Sequence, residues 1–384
     1  MKKVILGAAA LLCGAVMFAQ GNVSTVTQTG SGNGSVVSQT GLTNLSDVDQ
    51  VGDNNDSDVT QLGTSNDSDV DSNGHGNSST VSQDGTTNVS QVLQNQTSGY
   101  PAENNTSTVS QVGTDNYSFV WNDGDFNTST VGQDGSDNYS YVDQWGNSST
   151  STVDQDGADN ESLVYQGYGD GGSHTSYVGQ SGNDNDSYVL QHGGTGNQSD
   201  VIQLGNTNIS DVDQAGTDND SYVIQGPQED NVSEVDQLGD NNDAYLDQLG
   251  DRNDSDVNQV GNGNSSTTYQ GWTGDDNVST VDQLGDDNNS NVYQGGDLHL
   301  SDVDQDGNGN DSSVNQNGLS HESDVDQLGD DNDSDVDQGG TDQWSLVMQD
   351  GNMNISGVTQ SGNNHMSTVN QIGNSNNSSV TQSN

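Results

Sequence analysis

The chain has 384 residues, of which 58 are Asp or Glu and 3 are Lys or Arg, and its formal net charge at pH 7 is −55. Hydrophobic residues make up 26% and aromatic residues 5% of the chain, well below the content of an ordinary soluble domain. A single large hydrophobic core is therefore excluded. Composition alone would indicate disorder, unless a repeat buries a narrow apolar stripe many times over.

Residues 1–20 follow a different pattern from the rest of the chain. Lys2 and Lys3 precede an apolar run over residues 4–18, an arrangement that is typical of a secretory signal peptide. We therefore expect residues 1–20 to be a signal peptide, since a membrane-spanning helix would need about 20 apolar residues. The single cysteine, Cys13, lies within this segment, so the exported chain would have no disulfide and no thiolate metal site.

From Ser24 onward the sequence repeats with a period of eleven, Ser-x-Val-x-Gln-x-Gly-x-x-Asn-x, in 32 copies. The serine column is broken only by Ala244, and the glutamine column only by Ser72 and Asn122. Five copies carry extra residues, always between the Gln and the next Ser, and insertions of this kind indicate loops. We expect one repeat domain over residues 21–384.

The nine positions from Asn to Gly alternate with period two, which predicts a strand, and the remaining residues near Gly predict a reversal of the chain. Bulky outward residues recur in every second unit, for example at Phe119, Tyr141, Tyr165 and Tyr188. Two units would then form one turn of about 22 residues. The sequence predicts an all-β fold, a two-sheet β-solenoid of 11-residue strand-arc units stacked in the cross-β manner of amyloid.

Further along the chain, the bulky outward stripe changes phase. It continues at Tyr222, Tyr245, Tyr269 and Tyr293, and later at Leu346 and Met348. Two interpretations stay open for the stripe: neutral drift on a solvent face, or lateral packing between fibres.

Residues 22 apart would lie one strand spacing, about 4.8 Å, from each other, so identical side chains would stack. Gln50 would stack near Gln28, and Asn66 near Asn44. An amide donates and accepts along the stacking axis, so a column satisfies groups that would otherwise cost roughly 1–3 kcal/mol each when buried. The candidate functional residues are therefore structural ladders, represented by the first four units: Gln28, Gln39, Gln50, Gln61, Asn33, Asn44, Asn55, Asn66, Val26, Val37, Val48, Val59, Ser24, Ser35, Ser46, Ser57, Gly30, Gly41, Gly52 and Gly63.

This alternation of Ser or Asn, an aliphatic residue, Gln, Gly and Asn resembles the repeats of curlins, the subunits of curli amyloid fibres, from Asn22 to Asn384. The resemblance implies an extracellular functional amyloid in biofilm matrix, at the cell surface of a Gram-negative bacterium. It also implies partners: a dedicated secretion pore in the outer membrane and a nucleator subunit. The chain departs from familiar curlins in its larger number of repeats, its acidity, and the absence of an evident targeting segment before the first unit.

The expected function is that of a self-assembling structural subunit for adhesion and surface colonisation. A solenoid of one repeat type, with neither terminus read as a cap, presents unpaired backbone groups at both ends, which predicts head-to-tail homopolymerisation. The dense negative charge predicts slow assembly at low ionic strength and faster assembly with salt, divalent cations or acid. It also disfavours nucleic acid as a partner, and no membrane span is expected.

Specific metal and enzyme sites have little support. Asp302-x-Asp304-x-Asp306-Gly resembles the start of a calcium loop, but Ser313 stands where a bidentate Glu is needed. We expect no cofactor, and only diffuse binding of divalent cations. With Arg252 as the one cation of the exported chain and no long non-repeat loop, we do not expect an enzyme.

Histidines occupy the asparagine column at several positions, for example His299, His321 and His365. We interpret them as hydrogen-bonding residues of the arcs. A catalytic role is not expected.

The alternative function is an acidic secreted solenoid that acts as an adhesin or as an ice-binding or cation-binding surface protein. We interpret its threonine ranks as interrupted by Asp47, Asp58 and Asp69, which argues against a flat, regular threonine array. The outward threonines that recur are Thr25, Thr80, Thr108, Thr130 and Thr152.

Overall fold

The computed structural model describes residues 21–94, 102–168, 172–271 and 274–384. These residues form parallel strands and no helix, and consecutive repeat strands alternate between two sheets. One turn takes about 22 residues, and about 16 turns build a two-sheet β-solenoid. The predicted fold class is confirmed. The segment expected to be a signal peptide, residues 1–20, lies outside the described residues.

The two sheets have similar sizes. Sheet 1 has 17 strands: Val23–Thr29, Leu45–Asp53, Asp67–His75, Val89–Gln94, Ala102–Glu103, Tyr117–Asn122, Tyr139–Gln144, Glu161–Tyr168, Asp186–His192, Ile209–Ala215, Val232–Leu238, Asp254–Val260, Val278–Leu284, Leu300–Asp306, Glu322–Leu328, Trp344–Asp350 and Met366–Ile372. Sheet 2 has 16 strands: Gly34–Leu42, Asp56–Thr64, Ser78–Thr86, Thr106–Thr114, Thr128–Ser136, Thr150–Ala158, Thr175–Asn183, Gln198–Asn206, Asp220–Gln225, Asp243–Gln248, Ser265–Gln270, Asn289–Asp297, Asp311–Leu319, Asp333–Thr341, Ile355–Asn363 and Asn377–Ser383.

Neighbouring strands pair so that like residues meet. Gln28, for example, is the register partner of Gln50. Where an insertion lengthens the separation, the register is kept, since Gln83 pairs with Gln111 and the strands on both sides remain aligned. The stacking of the columns therefore continues past the insertion.

The core is a thin layer of inward side chains between the sheets. Burial alternates along each strand, and the valine column is fully enclosed in the inner turns, as at Val48 and Val59. The serine, glutamine and asparagine columns are buried on either side of it. Leu246 and Thr268 replace valine in two strands and are likewise buried.

The arcs explain two columns of the repeat. Most column glycines have positive φ, as at Gly135 (φ +132°), and a Cβ built there would lie 1.8 Å from the carbonyl oxygen of Gly157 in the next turn. Only glycine fits at such a position. The residue before the column asparagine also adopts the left-handed conformation, for example Asp137 at φ 57°.

The change of phase in the bulky stripe is a change of face. Phe119 and Tyr141 are register partners on sheet 1, whereas Tyr222 and Tyr245 are partners on sheet 2. The stripe returns to sheet 1 at Leu346. Each phase change in the sequence therefore marks the point where bulky residues move to the opposite side of the solenoid.

The interpretation of the threonine ranks as interrupted holds for Thr25, whose register partner on sheet 1 is Asp47, but it was wrong for the other four threonines. Asp47 and Asp69 lie on sheet 1, whereas the main threonine rank lies on sheet 2 and is bordered by Asp58 only at its start. The 22-residue turn places alternate units on opposite faces, so residues that are near in sequence do not share a rank. Four threonines on consecutive strands form the uninterrupted rank: Thr80, Thr108, Thr130 and Thr152.

Candidate functional site

The glutamine column of sheet 2 is one continuous chain of hydrogen bonds. In each step the Nε2 of one glutamine donates to the Oε1 of the glutamine one turn further along, as from Gln39 to Gln61 at 2.8 Å. The same bond recurs on every strand of the sheet, through Gln39, Gln61, Gln83, Gln111, Gln133, Gln155, Gln180, Gln203, Gln225, Gln248, Gln270, Gln294, Gln316, Gln338, Gln360 and Gln382.

Each glutamine also ties the two sheets together. Gln133 Nε2 donates to the backbone carbonyl of Tyr117 on sheet 1 at 2.9 Å and to that of Asn138 in the following arc at 3.1 Å. Because only an amide NH₂ can donate to these carbonyls, the contacts fix the orientation of the whole side chain. The ladder therefore has a direction: its donors point toward the C-terminal turns and its acceptors toward the N-terminal turns.

The ladder of sheet 1 is interrupted at its two sequence exceptions. Ser72 Oγ donates to Gln94 Oε1 at 2.9 Å. At the second break, Ser129 Oγ bridges Asn122 Oδ1 at 2.8 Å and Gln144 Oε1 at 2.7 Å. From Gln144 onward the ladder continues without a break, through Gln144, Gln166, Gln191, Gln214, Gln237, Gln259, Gln283, Gln305, Gln327, Gln349 and Gln371.

The asparagine column forms a second kind of ladder, at the edges of the core. The backbone N–H of Asn66 donates to Asn44 Oδ1 at 3.0 Å, and Asn55 is linked to Asn33 in the same way. The Nδ2 of Asn55 donates to the carbonyl oxygen of Gly74 at 3.0 Å. The column asparagine therefore satisfies the carbonyl groups that the tight glycine arc turns inward.

The serine column was grouped with the ladders from sequence, but most of its members make no ladder bond. The hydroxyls of Ser46 and Ser35 have no hydrogen-bond partner among the described residues, whereas Ser57 Oγ accepts from Gln50 Nε2 at 2.9 Å. Ala244 stands in this column, fully buried. The column selects a small side chain, and the periodicity of the sequence carries no signal that separates this requirement from a hydrogen-bonding one.

The outermost turns expose the residues that inner turns bury. Val26 is 45% exposed, although its register partner Val48 is 0% exposed. Val37 is only partly buried, as is Val380 in the strand Asn377–Ser383. The two ends of the described solenoid thus present the open ends of the core columns, with Ser24 and Gly30 on the exposed first strand and arc.

Two column histidines stack inside the core. The rings of His299 and His321 are 4.9 Å apart and nearly parallel, at 10°. His299 Nδ1 accepts the backbone N–H of His321 at 3.1 Å, and His321 Nε2 lies 3.0 Å from the carbonyl oxygen of Asn317. Burial and, to a smaller extent, the neighbouring His321 lower the pKa of His299 to about 4. The structure therefore places neutral imidazoles in the role of the column asparagine.

Carboxylates dominate the outer face of sheet 1. Asp302 and Asp304 alternate outward along one strand and are paired in register with Asp324 and Asp326. Partial burial and the adjacent carboxylates raise the pKa of Asp304 to about 6. Across the described residues no group of three or more His, Cys, Asp or Glu side chains has the arrangement of a metal site.

The sole arginine is engaged in an arc. Arg252 Nε donates to Asp276 Oδ1 at 2.6 Å, and its Nη2 donates to Asp276 Oδ2 at 2.9 Å. This bidentate pair links neighbouring turns at the surface. Arg252 thus crosslinks two arcs within the polyanion.

Comparison with known protein families bears on these ladders. The family model of the curlin associated repeat matches residues 52–85, 250–285 and 329–362. The chain carries curlin associated repeats. The three matched segments of curlin repeat fall in early, middle and late turns, and the same glutamine ladder runs through the turns between them. The resemblance to curlins is therefore confirmed.

No curated protein matches the chain significantly. Among the described residues, no helix has the length and apolar character that crossing a membrane requires.

Proposed function

We propose that this curlin-repeat protein is the structural subunit of an extracellular, curli-like amyloid fibre that assembles head to tail. The fibre would serve biofilm matrix, adhesion and surface colonisation. Curlin-repeat proteins form a structural family, and the site is accordingly a set of stacking columns with no assigned catalytic role. No cofactor is proposed, and divalent cations would bind diffusely to the acidic outer face.

The direction of the glutamine ladder is the observation that carries the proposal. At the late end, the Nε2 groups of Gln371 and Gln382 reach only backbone carbonyls across the core, so a donor position along the axis is open. At the early end, Gln28 and Gln39 donate forward and present their Oε1 atoms outward along the axis. Donors at one end therefore meet acceptors at the other when a second copy stacks end to end.

The asparagine columns are also polar along the solenoid axis. Their side-chain acceptors point toward the late end, where the glutamine columns present donors. Each column asparagine accepts on Oδ1 from the backbone N–H one turn later, as Asn354 does from Asn376. Asn376 Oδ1 then faces the late end, where the backbone N–H of Asn33 in another copy would complete the pattern. Head-to-head stacking would oppose donor to donor in one kind of column and acceptor to acceptor in the other, which disfavours it.

Secretion and localisation follow from the family and belong to the proposal. Curlin-family proteins are subunits of extracellular fibres. We propose the same place for this chain, on the surface of a Gram-negative bacterium. The corresponding partners would be a curli-type pore, through which the chain is exported, and a nucleator subunit that initiates assembly.

A second candidate function is ice binding by sheet 2, because its threonine rank is uninterrupted over Thr80, Thr108, Thr130 and Thr152. The rank ends abruptly at Asp58 and Tyr177 and so covers only four strands. Thermal hysteresis of the purified protein tests this function directly. A freezing point equal to that of a matched polyanion would contradict it.

The fibre proposal is tested with the purified exported chain, residues 21–384, in physiological salt. We expect thioflavin-positive fibres with a meridional reflection near 4.8 Å, the strand spacing. Seeding should act from one fibre end faster than from the other because the ladders are polar. A chain that stays monomeric at high concentration in salt would contradict the proposal.

A further inference from the structure

The outward carboxylates are distributed unevenly between the two faces. From Ile209 to Asp306, sheet 1 places acids at eight of the ten outward positions that flank the core valines; the other two are Asn258 and Thr280. In the same turns, the equivalent outward positions of the sheet 2 strands carry one acid, Asp247. The other residues at these positions are Tyr, Ile, Thr, Ser and Asn. The acids of sheet 1 are Asp211, Asp213, Glu234, Asp236, Asp256, Asp282, Asp302 and Asp304.

At the ends of the same strands the distribution is reversed: the acids lie on sheet 2 and the apolar residues on sheet 1. On sheet 2 the residue before the column serine is often acidic, as at Asp220 and Asp243. On sheet 1 the residue after the column glutamine is aliphatic, as at Leu238 and Leu284. Strands of the two sheets run in opposite directions, because Gln133 at the end of a sheet 2 strand bonds to Tyr117 at the start of a sheet 1 strand. An acidic margin of sheet 2 would therefore face an aliphatic margin of sheet 1 if the two outer faces met.

Side-chain size follows the same rule in earlier turns. Phe119 and Tyr141 project from sheet 1, and their rings stack 4.9 Å apart. In the same turns sheet 2 presents Thr130 and Gly132, an exposed hydroxyl and a position without a side chain. Bulky residues on one face thus coincide with small residues on the other.

Nothing within one chain requires this compensation, because the outer faces of a turn lie on opposite sides of the solenoid and do not touch. We propose that sheet 1 of one filament packs against sheet 2 of a second copy, with both filaments parallel and with equal turns facing each other. This inference rests on the proposed fibre, since it concerns the lateral contact between filaments. It also accounts for the phase changes of the bulky stripe.

Hydrogen bonding favours this pairing over contact between like faces. Tyr222 and Tyr245 on sheet 2 would lie opposite the carboxylates of Asp213 and Asp236 on sheet 1, so that phenol hydroxyls donate to carboxylate acceptors. Burial raises the pKa of Tyr245 to about 12, so its hydroxyl keeps the proton. Two sheet 1 faces would instead oppose carboxylate to carboxylate, which costs free energy for each unpaired buried charge.

Single-cysteine variants of residues 21–384 test the register, since this segment has no cysteine of its own. Fibres grown from a mixture of F119C and G132C chains are treated with a bismaleimide that spans about 10 Å, the distance between packed sheets. We expect covalent dimers in the mixture, and at least about fivefold fewer when either variant polymerises alone. The matched control replaces G132C by G357C, which lies ten turns away on sheet 2 where an added Cβ meets no atom within 4 Å.

The outcomes separate this inference from the fibre proposal. Thioflavin-positive fibres without F119C–G132C dimers would overturn the lateral register and leave head-to-tail assembly intact. Equal yields with G357C, or efficient cross-linking of F119C to itself, would overturn it as well. Failure of every chain, including the one without cysteine, to form fibres would overturn the proposed function together with this inference.

A second variant changes the contact without a cross-linker. Replacing Thr130 and Gly132 together by Asp adds one carboxylate opposite Phe119 and a second one two residues away, and we expect single filaments in place of paired ones in electron micrographs. Elongation measured by thioflavin fluorescence should stay within about twofold of the parent. Paired filaments of unchanged width would contradict the proposed contact.

Discussion

Gln133 donates from Nε2 to Gln155 Oε1 at 2.9 Å, and this one contact repeats along the whole of sheet 2. The same nitrogen reaches the backbone of the opposite sheet, so one side chain stabilises both the stacking of turns and the pairing of sheets. A core this poor in apolar residues depends on such amides for much of its cohesion, since each buried valine contributes only about 1.5 kcal/mol.

We predict that Gln133→Ala lowers the free energy of unfolding by at least about 2 kcal/mol, because it leaves Gln111 Nε2 and Gln155 Oε1 without their ladder partners. Urea unfolding at low ionic strength, where charge keeps chains apart, measures the change. The control is Gln91→Ala, which removes an outward glutamine and should change stability by about 0.5 kcal/mol or less. Equal effects of the two substitutions would show that the ladder adds nothing.

The serine column yields a prediction of the opposite sign. Ser140 is fully buried and its hydroxyl has no partner among the described residues, so Ser140→Ala should be neutral or stabilising by up to about 1 kcal/mol. Ser129→Ala is the matched substitution, and it should cost about 1–3 kcal/mol because Asn122 and Gln144 lose their bridging hydroxyl. A comparable loss of stability in Ser140→Ala would contradict the assignment of this column as a spacer.

Backbone strain in the arcs predicts stabilising substitutions. Leu298 has φ 60° and is 54% exposed, so its side chain gains little from burial in a conformation that favours glycine. We expect Leu298→Gly to raise the free energy of unfolding by about 0.5–1 kcal/mol. Leu300→Gly, in the extended strand that follows, should instead destabilise the protein. Thermal unfolding of the two variants checks the prediction, and a lower midpoint for Leu298→Gly would contradict it.

The stacked histidines make the late turns sensitive to acid. Their folded-state pKa values lie below the ordinary 6.5, that of His299 at about 4. Their stabilisation is therefore complete above pH 6.5 and is lost as the pH falls through about 4. We predict that replacing both His299 and His321 by Asn lowers the pH at which residues 289–341 lose protection from hydrogen exchange. His75→Asn, at an exposed arc position, should leave that pH unchanged.

The acid face predicts how assembly responds to its surroundings. Burial and neighbouring carboxylates raise the pKa of Asp211 and Asp256 from 3.8 to about 6. Because these pKa values are raised in the folded state, the protonated carboxyls stabilise the fold. This stabilisation is fully present below about pH 4 and is lost as the pH rises through about 6, where the carboxyls ionise. We predict shorter lag times of fibre formation at pH 5 than at pH 7, and also with added NaCl or CaCl₂ at pH 7. Lag times that are independent of both pH and salt would contradict this prediction.

The sequence was sufficient to predict the strand content, the two sheets and the turn of about 22 residues, since a period of eleven with inner alternation leaves few other arrangements. It could not assign residues to faces across the insertions, and for that reason the threonine rank at Thr108 was interpreted as broken. It also could not distinguish a spacer such as Ser140 from a ladder residue such as Gln133, because both recur with the same period. Only the hydrogen-bond geometry separates them.

Electron cryomicroscopy of fibres grown from residues 21–384 tests the central claim most directly. The account predicts that Gln382 of one copy lies one strand spacing, about 4.8 Å, from Gln39 of the next, so that the junction continues the glutamine ladder and the backbone pairing of sheet 2. A map in which copies join side by side with open solenoid ends, or in which the column glutamines face solvent, would contradict it.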